Sequence, residues 1–398
     1  MMPESLCIAV WHRFLSRLPL LPLTAALLLP GLILMGCSLG PRQLKGNRIG
    51  YNVSIQKSDN EELLLNLVRL RYMEVPCFMQ VSSVTASFEY SLALQAQSQW
   101  SKGDFYTQFP RRFLNPLARG SYTESPTISY SPLAGEKFVA SLLTDVSPHR
   151  FWFLHRSGWE IDLLLDLLVR RIGQLSNPDP FEYAEPKYLE EERRFQQFAQ
   201  LLRTYQTRDD ISLVYPDPAE NLPYELALEL RFRNAGEARS IESLLGTRLQ
   251  LSPLPDGHLL GQIFLSTKAG FRKQKEVNLE GPLLRIHFRN FIGVLVDLLN
   301  GVETPPGEVE NGIVNRVSIP ADEPSLGAAH ILVHCVAAFP EKSLVAIRYR
   351  GHCFYIADND FISKRTFAFV STLLSLQSGE AKPTAPVLTL PVGVGPTR

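Results

Sequence analysis

The stretch 343–377, SLVAIRYRGHCFYIADNDFISKRTFAFVSTLLSLQ, changes its hydrophobic pattern twice along its length. Two runs rich in β-branched and aromatic residues flank Arg350-Gly351, which predicts a β-hairpin that turns at that pair. The apolar residues that follow Asp358 and Asp360 recur at helical spacing, and either aspartate can cap the helix. A hairpin followed directly by a helix predicts an α+β fold, with mixed or antiparallel sheets and packed helices.

The residues between 181 and 342 carry the same mixture of patterns. A polar helix is predicted over 187–205. The strand-like stretches are 224–233 (YELALELRFR), 260–267 (LGQIFLST) and 283–289 (LLRIHFR), and the helix-like ones are 240–246 (SIESLLG) and 290–299 (NFIGVLVDLL). The α+β prediction therefore extends through the second half of the chain.

The first half contains a sustained alternation of apolar and polar residues from Val84 to Ala96. This pattern predicts a long strand, and 125–132 (SPTISYSP) is its expected partner across an aromatic and basic loop. Helices are predicted over 58–71, 135–146 and 158–175. The first of them is expected to begin at Ser58 or Asp59, after a polar linker.

The proline-rich stretch SNPDPFEYAEP, at 176–186, is the strongest linker candidate. It predicts two lobes that follow a cleaved leader. The expected parts are a leader at 1–36, an N-terminal α+β lobe at 37–180, a C-terminal α+β lobe at 181–377 and a Pro/Gly-rich tail at 378–398. The tail is expected to be either disordered or a strand added to a sheet edge.

The amino-terminal segment has the pattern of a secretory signal. Arg13 and Arg17 precede an apolar run from Leu18 to Met35 that has no charged residue. The alternative is a transmembrane helix, because the run is close to the length that spans a bilayer. Its three prolines argue against a long uninterrupted helix.

The end of this run, Leu34-Met35-Gly36-Cys37, resembles the lipobox of bacterial lipoproteins. The resemblance implies cleavage between Gly36 and Cys37 and acylation of Cys37 by two or three fatty-acid chains, such as palmitate. Two or more acyl chains hold a protein on a membrane stably, whereas one chain does not. Ser38 implies the periplasmic face of the outer membrane. The alternative is an uncleaved anchor in which Cys37 is incidental.

The charge balance argues against nucleic acid as a partner. The chain has 40 basic and 40 acidic residues. Removing the leader, which holds two basic residues and one acidic residue, leaves 38 against 39, or a net charge of −1. Such a chain has no excess of positive charge for phosphate contacts, and its membrane attachment would depend on the acyl chains.

Cys77, Cys335 and Cys353 remain after Cys7 leaves with the leader and Cys37 carries lipid. If strands near 330–337, 343–349 and 352–357 form a meander in chain order, Cys335 and Cys353 flank its middle strand. They would then lie roughly 9–10 Å apart, beyond the Cα separation of about 7 Å that a disulfide tolerates. Buried free thiols are therefore expected, and a different strand order would reverse this argument.

The sequence contains none of the common catalytic, metal or phosphate-loop motifs, such as G-x-S-x-G, H-E-x-x-H, C-x-x-C or G-x-G-x-x-G. We therefore predict no catalytic residue, cofactor or metal ligand. His330 and His334 are four residues apart and could hold a metal, but no third ligand lies nearby in the sequence. The preferred interpretation is that both are half-buried histidines on a strand.

Two further groups of polar residues have a structural and a functional interpretation. His352, Asp358 and Asp360 could act as acid and base, but aspartates before an apolar helix are typical of capping. Glu190 and Arg194 are spaced as an i,i+4 ion pair on a solvated helix face, which could also bind a partner.

The segments 348–377, 63–72 and 132–144 resemble those of bacterial envelope proteins of similar length, and this resemblance carries no chemistry. The preferred hypothesis is a lipid-anchored, non-enzymatic envelope protein that binds or scaffolds other envelope proteins. One alternative is a subunit of an oligomeric outer-membrane export or transport assembly, in which the hairpin around Val84–Ala96 enters the membrane. Another alternative is an enzyme of an unrecognised class.

Overall fold

The protein is represented by a computed structural model. It describes residues 39–100, 112–132, 136–178, 186–268, 279–314, 330–378 and 388–391. The lipobox, including Cys37, lies outside these ranges, so the lipidation of Cys37 stays a prediction.

The described part of the chain is a mixture of helices and strands, so the α+β prediction is confirmed. The helices are α1 (Leu39–Arg71), α2 (Glu136–Leu143), α3 (Pro148–Arg156), α4 (Ile161–Leu168), α5 (Pro186–Thr207), α6 (Ala235–Leu245), α7 (Phe291–Asp297) and α8 (Phe361–Ser378). The strands are β1 (Met79–Trp100), β2 (Arg112–Pro132), β3 (Val169–Ile172), β4 (Leu175–Ser176), β5 (Ile211–Val214), β6 (Leu226–Phe232), β7 (Leu251–Pro253), β8 (Leu259–Ser266), β9 (Leu283–Phe288), β10 (His334–Val336), β11 (Ser343–Tyr349), β12 (His352–Ala357) and β13 (Leu388–Pro391).

The strands form three sheets. The largest has seven strands in the order β4-β3-β9-β8-β6-β5, with β7 also paired to β8, and only the β8–β9 pair is parallel. A second sheet has the order β10-β12-β11, and a third has the order β1-β2-β13. The sheets are therefore antiparallel or mixed, as the sequence predicts.

The two predicted lobes stay a prediction. Strands β3 and β4, which precede residue 180, share the seven-stranded sheet with strands that follow residue 181. The chain divides between Asp59 and Asn60 into two compact units, and every element from β1 onward belongs to the second.

Helices and sheets of this second unit enclose a hydrophobic cluster that extends from Leu63 to Leu373. Its largest fully buried side chains are phenylalanines: Phe151, Phe195, Phe198, Phe232, Phe291, Phe354 and Phe369. Burying each such side chain contributes about 1.5–3 kcal/mol relative to leaving it in water.

The hairpin and helix predicted over 343–377 are confirmed. Arg350 and Gly351, with φ of 49° and 86°, form the turn between β11 and β12. A positive φ at both central residues matches the right-handed twist of the flanking strands. Of the two candidate caps, Asp360 accepts a hydrogen bond from the Ser363 backbone N–H at 3.1 Å.

The strand order predicted for 330–357 is wrong. The middle strand is β12, not β11, because β10 pairs with β12. Cys335 lies opposite Phe354, and Cys353 lies opposite Val336. Because adjacent residues of a strand point to opposite faces, the two thiols lie on opposite sides of the sheet. Cys77, Cys335 and Cys353 are free. For Cys335 and Cys353 the prediction of free thiols is confirmed, but for this reason rather than the predicted one. Cys353 is buried as predicted, whereas Cys335 is only half-buried.

Two predicted helix bounds are also wrong. The helix predicted over 158–175 ends at Leu168, and 169–172 form strand β3, because this segment pairs with β9 on one side and β4 on the other. Helix α1 begins at Leu39, so the predicted linker before residue 58 is helical. Pro41 lies in its first turn, where the missing N–H would have no helical partner.

Candidate functional site

The sheet β1-β2-β13 contains the longest strands of the described chain. Strands β1 and β2 have 22 and 21 residues and pair antiparallel along their whole length, with one bulge between Val81 and Ser83. At roughly 3.4 Å per residue, this ribbon is about 70 Å long. The predicted strand at Val84–Ala96 is confirmed, and β1 extends beyond it at both ends. The partner strand is also longer than predicted, because residues 112–120, predicted as loop, belong to β2.

The two edges of the ribbon differ in their sequences. Strand β1 contains neither proline nor glycine, and Glu89 is its single charged residue. Strand β2 contains Pro116 and Pro126, which have no N–H for a further strand. Strand β13 pairs with β2 over 127–130. The tail 378–398 therefore supplies an edge strand, which is one of the two predicted alternatives.

Strand β1 is an edge strand within the described residues, because β2 is the only strand that pairs with it there. An edge strand presents a row of backbone N–H and C=O groups that another strand can bind. Soluble proteins usually protect such edges with proline, lysine, bulges or short length. Apart from one bulge near its start, β1 has none of these features, so its outer edge can accept an added strand.

Phe78 and Phe138, which lie on either side of the ribbon in the chain, both belong to the hydrophobic cluster. A two-stranded ribbon needs a further surface to be stable in water.

The two histidines considered for a metal site do not form one site. His330 precedes β10, and its Nε2 atom lies 3.9 Å from Oδ2 of Asp166. His334 begins β10, and its Nδ1 atom lies 3.2 Å from Oε1 of Glu303. The predicted strand over 330–337 is therefore wrong at its start. Among the described residues, no group of three or more His, Cys, Asp or Glu has the geometry to hold a metal ion.

His352, Asp358 and Asp360 have separate roles. Asp360 caps α8, as the capping interpretation predicts. The carboxylate of Asp358 pairs with the Lys364 ammonium at 2.7 Å, which lowers the pKa of Asp358. His352 begins β12 opposite Tyr349. The three side chains therefore serve the hairpin and the start of α8.

The ion pair predicted between Glu190 and Arg194 is wrong. Glu190 pairs with Arg193, one residue earlier. The Arg194 guanidinium instead donates to the carbonyl oxygen of Leu244 at 3.0 Å, which joins α5 to the end of α6. A contact to another element replaces the local pair because α5 packs against α6.

A buried group of charges surrounds Arg289, and the sequence pattern does not predict it. The Arg289 side chain is 2% exposed and pairs with Asp297 at 3.2 Å. It also donates to the carbonyl oxygens of Asp166, Asn177 and Pro178 at 2.6, 3.1 and 3.2 Å. A buried cation needs several such acceptors. The one signal in the sequence is an arginine among the apolar residues Ile286, Phe288, Phe291 and Ile292.

Asp166 lies beside this arginine in a carboxylate-rich environment. Burial raises its pKa well above the usual value, nearby Asp162 and Asp297 raise it further, and Arg289 opposes them. Burial also lowers the pKa of His330. The low-dielectric surroundings therefore favour the neutral forms of both side chains.

Within the described ranges, no helix is both long and apolar enough to cross a bilayer. Comparison of the chain with protein families, curated proteins and solved structures gave no match.

Proposed function

We propose that this protein is a lipid-anchored envelope protein that binds partner proteins by accepting a strand on the outer edge of β1. The observation that carries the proposal is the 22-residue edge strand, which lacks proline and glycine and has one charge. Added strands gain affinity from main-chain hydrogen bonds and specificity from alternate side chains. The proposed role is scaffolding, without a chemical reaction.

The anchor part of the proposal is supported by the sequence at residues 34–37. A small residue before a cysteine fits a narrow peptidase site, and a thiol is the best side-chain nucleophile for lipid transfer. The proposed location is the periplasmic face of the outer membrane. Partner proteins of the envelope would then be within reach of the ribbon.

The anchor is tested by mass spectrometry of the purified protein and by fractionation of cells. We expect a mature chain that begins at Cys37 and carries two or three acyl chains. The Cys37→Ala variant should retain its leader or leave the outer-membrane fraction. An unmodified thiol in a full-length chain would contradict the proposed anchor.

Strand addition is tested with a matched pair of variants. Ser87 on β1 and Ser125 on β2 are direct partners in the register of the ribbon. Ser87→Lys places a charge on the proposed binding edge, and Ser125→Lys places the same charge one strand away. A photo-crosslinker at position 91 of β1 identifies the partner, and recovery of the crosslinked partner should fall at least tenfold in Ser87→Lys only.

Equal recovery of the partner from both lysine variants would contradict binding at the edge of β1. An equal loss in both would indicate damage to the ribbon itself, which also contradicts an edge-specific mode. The fraction of folded protein is compared by circular dichroism in each case, so that loss of folding is recognised.

The second candidate is a subunit of an oligomeric outer-membrane export assembly, in which copies associate through their ribbons. The length of the ribbon favours it, since a membrane-spanning strand needs only about 9–11 residues. Native mass spectrometry in detergent and conductance across planar bilayers distinguish the two candidates. A ring that conducts ions supports the second candidate, and a small non-conducting complex with another protein supports the first.

A further inference from the structure

We propose that a pocket of about 340 Å³ between β3, β4, β9 and α5 binds the phosphate group of a phosphate monoester. The residues that line it are Arg170, Arg171, Ser176, Pro178, Tyr188 and His287. This binding site is independent of the ribbon and of the proposed strand addition.

The sheet register brings three of these side chains into one row. Arg171 on β3 lies opposite Ser176 on β4 and opposite His287 on β9. Side chains directly opposite each other in a sheet share a face. The neighbouring residues Ile172 and Ile286 are buried on the other face, so the row faces away from the core.

A β-bulge brings a second arginine to the pocket. Val169 pairs with Phe288 and Arg171 pairs with His287, so Arg170 is an extra residue on β3. In a regular strand Arg170 would point to the face opposite Arg171. The extra residue breaks this alternation, and both side chains line the pocket.

The charge around His287 is mainly positive. Burial lowers its pKa first, and Arg285, Arg171 and Arg170 lower it further, whereas Asp145 is the one carboxylate that raises it. Within the described residues, no carboxylate lies within ion-pair distance of Arg171 or Arg285. Other arginines, such as Arg208, Arg231 and Arg289, do have a carboxylate partner. The positive charges of Arg171 and Arg285 are therefore available to a bound anion.

The set of side chains suits a phosphate monoester. Guanidinium, hydroxyl and protonated imidazole groups all donate hydrogen bonds, and arginine matches phosphate oxygens in a bidentate manner. A phosphate monoester carries about −1.5 to −2 charges near pH 7, which matches several arginines better than a carboxylate does. The pocket has room for the phosphate and for part of the group to which it is esterified, as ligand pockets of about 300–1,000 Å³ do.

One wall of the pocket is held from behind by buried hydrogen bonds. Arg289 donates to the carbonyl oxygens of Asn177 and Pro178, and the Asn177 side chain donates to those of Asp166 and Val169 at 2.8 and 2.9 Å. These contacts fix the segment that carries Pro178 before any ligand arrives. A site held in this way loses little conformational entropy on binding.

The same phosphate chemistry has two possible sources, a soluble metabolite and a lipid headgroup. Full-length protein in non-ionic detergent is titrated by calorimetry with glycerol 3-phosphate and with dihexanoyl phosphatidic acid. Glycerol and dihexanoyl phosphatidylcholine are the controls without a phosphate monoester. Binding of both phosphates indicates a soluble source, and binding of phosphatidic acid alone indicates a lipid headgroup; either result supports the site.

Variants locate the binding. We expect Arg171→Gln to weaken the affinity at least tenfold and the exposed Arg248→Gln to leave it within twofold. The ligand should also raise the pKa of His287, followed by NMR, in the wild type but not in Arg171→Gln. If Arg171→Gln proves unfolded, Arg170→Gln is used in its place, because Arg170 also lines the pocket. The proposal is overturned if neither phosphate binds, or if the pocket variants bind as tightly as Arg248→Gln.

Discussion

The Arg289 guanidinium donates a hydrogen bond through Nη2 to the carbonyl oxygen of Pro178 at 3.2 Å. This contact joins the buried charges near α4 and α7 to the wall of the proposed phosphate pocket, which Pro178 helps to line. Pro178 is separated from Arg289 by more than a hundred residues of chain, so the tertiary fold alone brings them together. The stability of the body and the shape of the pocket therefore depend on the same side chain.

Arg289→Met should destabilise the protein by about 3–5 kcal/mol, because it leaves Asp297 and three buried carbonyl oxygens without their donor. Urea denaturation of the wild type and the variant measures the loss. The exposed Arg248→Met is the control, and its effect should stay within about 0.5 kcal/mol. Similar effects for the two variants would contradict a structural role for the Arg289 network.

Asp166→Asn should change how stability depends on pH. Because the pKa of Asp166 is raised on folding, the folded state binds a proton that the unfolded state releases. The stability of the wild type should therefore fall, relative to the variant, as the pH rises above the ordinary value of 3.8.

Denaturation of wild type and Asp166→Asn at a series of pH values measures this difference. The free energy of unfolding of the variant should rise relative to that of the wild type toward neutral pH. In acid the two free energies should become similar. The charged groups near Asp166 are common to both proteins: Asp162, Asp297, Glu192 and Arg289. The exposed Glu310→Gln is the control, and a constant difference at every pH would contradict the raised pKa.

Tyr72→Phe should cost about 1–2 kcal/mol of stability. The Tyr72 hydroxyl donates to the Glu308 carboxylate at 2.5 Å, and the ring is 6% exposed. Burial and this hydrogen bond raise the pKa of Tyr72 above its ordinary value of 10. The unfolded state therefore releases the phenol proton first, so the advantage of the wild type should shrink above pH 10.

Thermal denaturation near neutral pH and at alkaline pH measures this effect. Tyr215→Phe is the matched control: its ring contacts His149 and Trp152, and the described structure shows no hydrogen bond from its hydroxyl. An equal cost for both substitutions would mean that the Tyr72–Glu308 hydrogen bond contributes nothing to stability.

Shortening the ribbon should leave the body folded. Replacing residues 92–120 by Asn-Gly joins the paired residues Ser91 and Ser121 through a two-residue hairpin turn. Because Phe78 and Phe138 of the hydrophobic cluster and the pairing of residues 79–91 with 121–132 are retained, the free energy of unfolding should change by less than about 1 kcal/mol. Partner recovery or oligomerisation should fall, because the edge available for pairing is shortened.

Phe138→Ala provides the contrast, since Phe138 belongs to that cluster and contacts Phe78. Its loss should cost about 3–5 kcal/mol. Unfolding of the shortened protein under conditions in which the wild type is folded would show that the ribbon supports the body.

The position of β12 illustrates what chain order cannot predict. The sequence predicts the hairpin at Arg350-Gly351 correctly, because turn chemistry and alternation act over a few residues. It does not predict that β10 joins β12 rather than β11. The physical reason lies in burial: Cys353, Phe354 and Ile356 of β12 are fully buried, and a central strand is covered more completely than an edge strand.

The pocket lined by Arg170, Arg171 and His287 is not predicted by the sequence, for a related reason. Residues 158–175 have helical apolar spacing, so the pattern predicts that Arg170 and Arg171 lie at the end of a helix. Pairing with β9 makes them part of a strand, and the bulge turns both toward one pocket. Tertiary pairing often overrides a local helical preference, and the paired strand is known only once β9 is in place.

The sequence by itself determined the α+β class, the hairpin and helix of 343–377 and the long alternating strand, because these depend on contacts between residues close in the chain. Only the tertiary structure decided the strand order, the faces on which the thiols lie, the Arg289 network and the grouping of arginines around His287. These features join residues that are far apart in sequence, and such contacts depend on how the whole core packs rather than on local spacing.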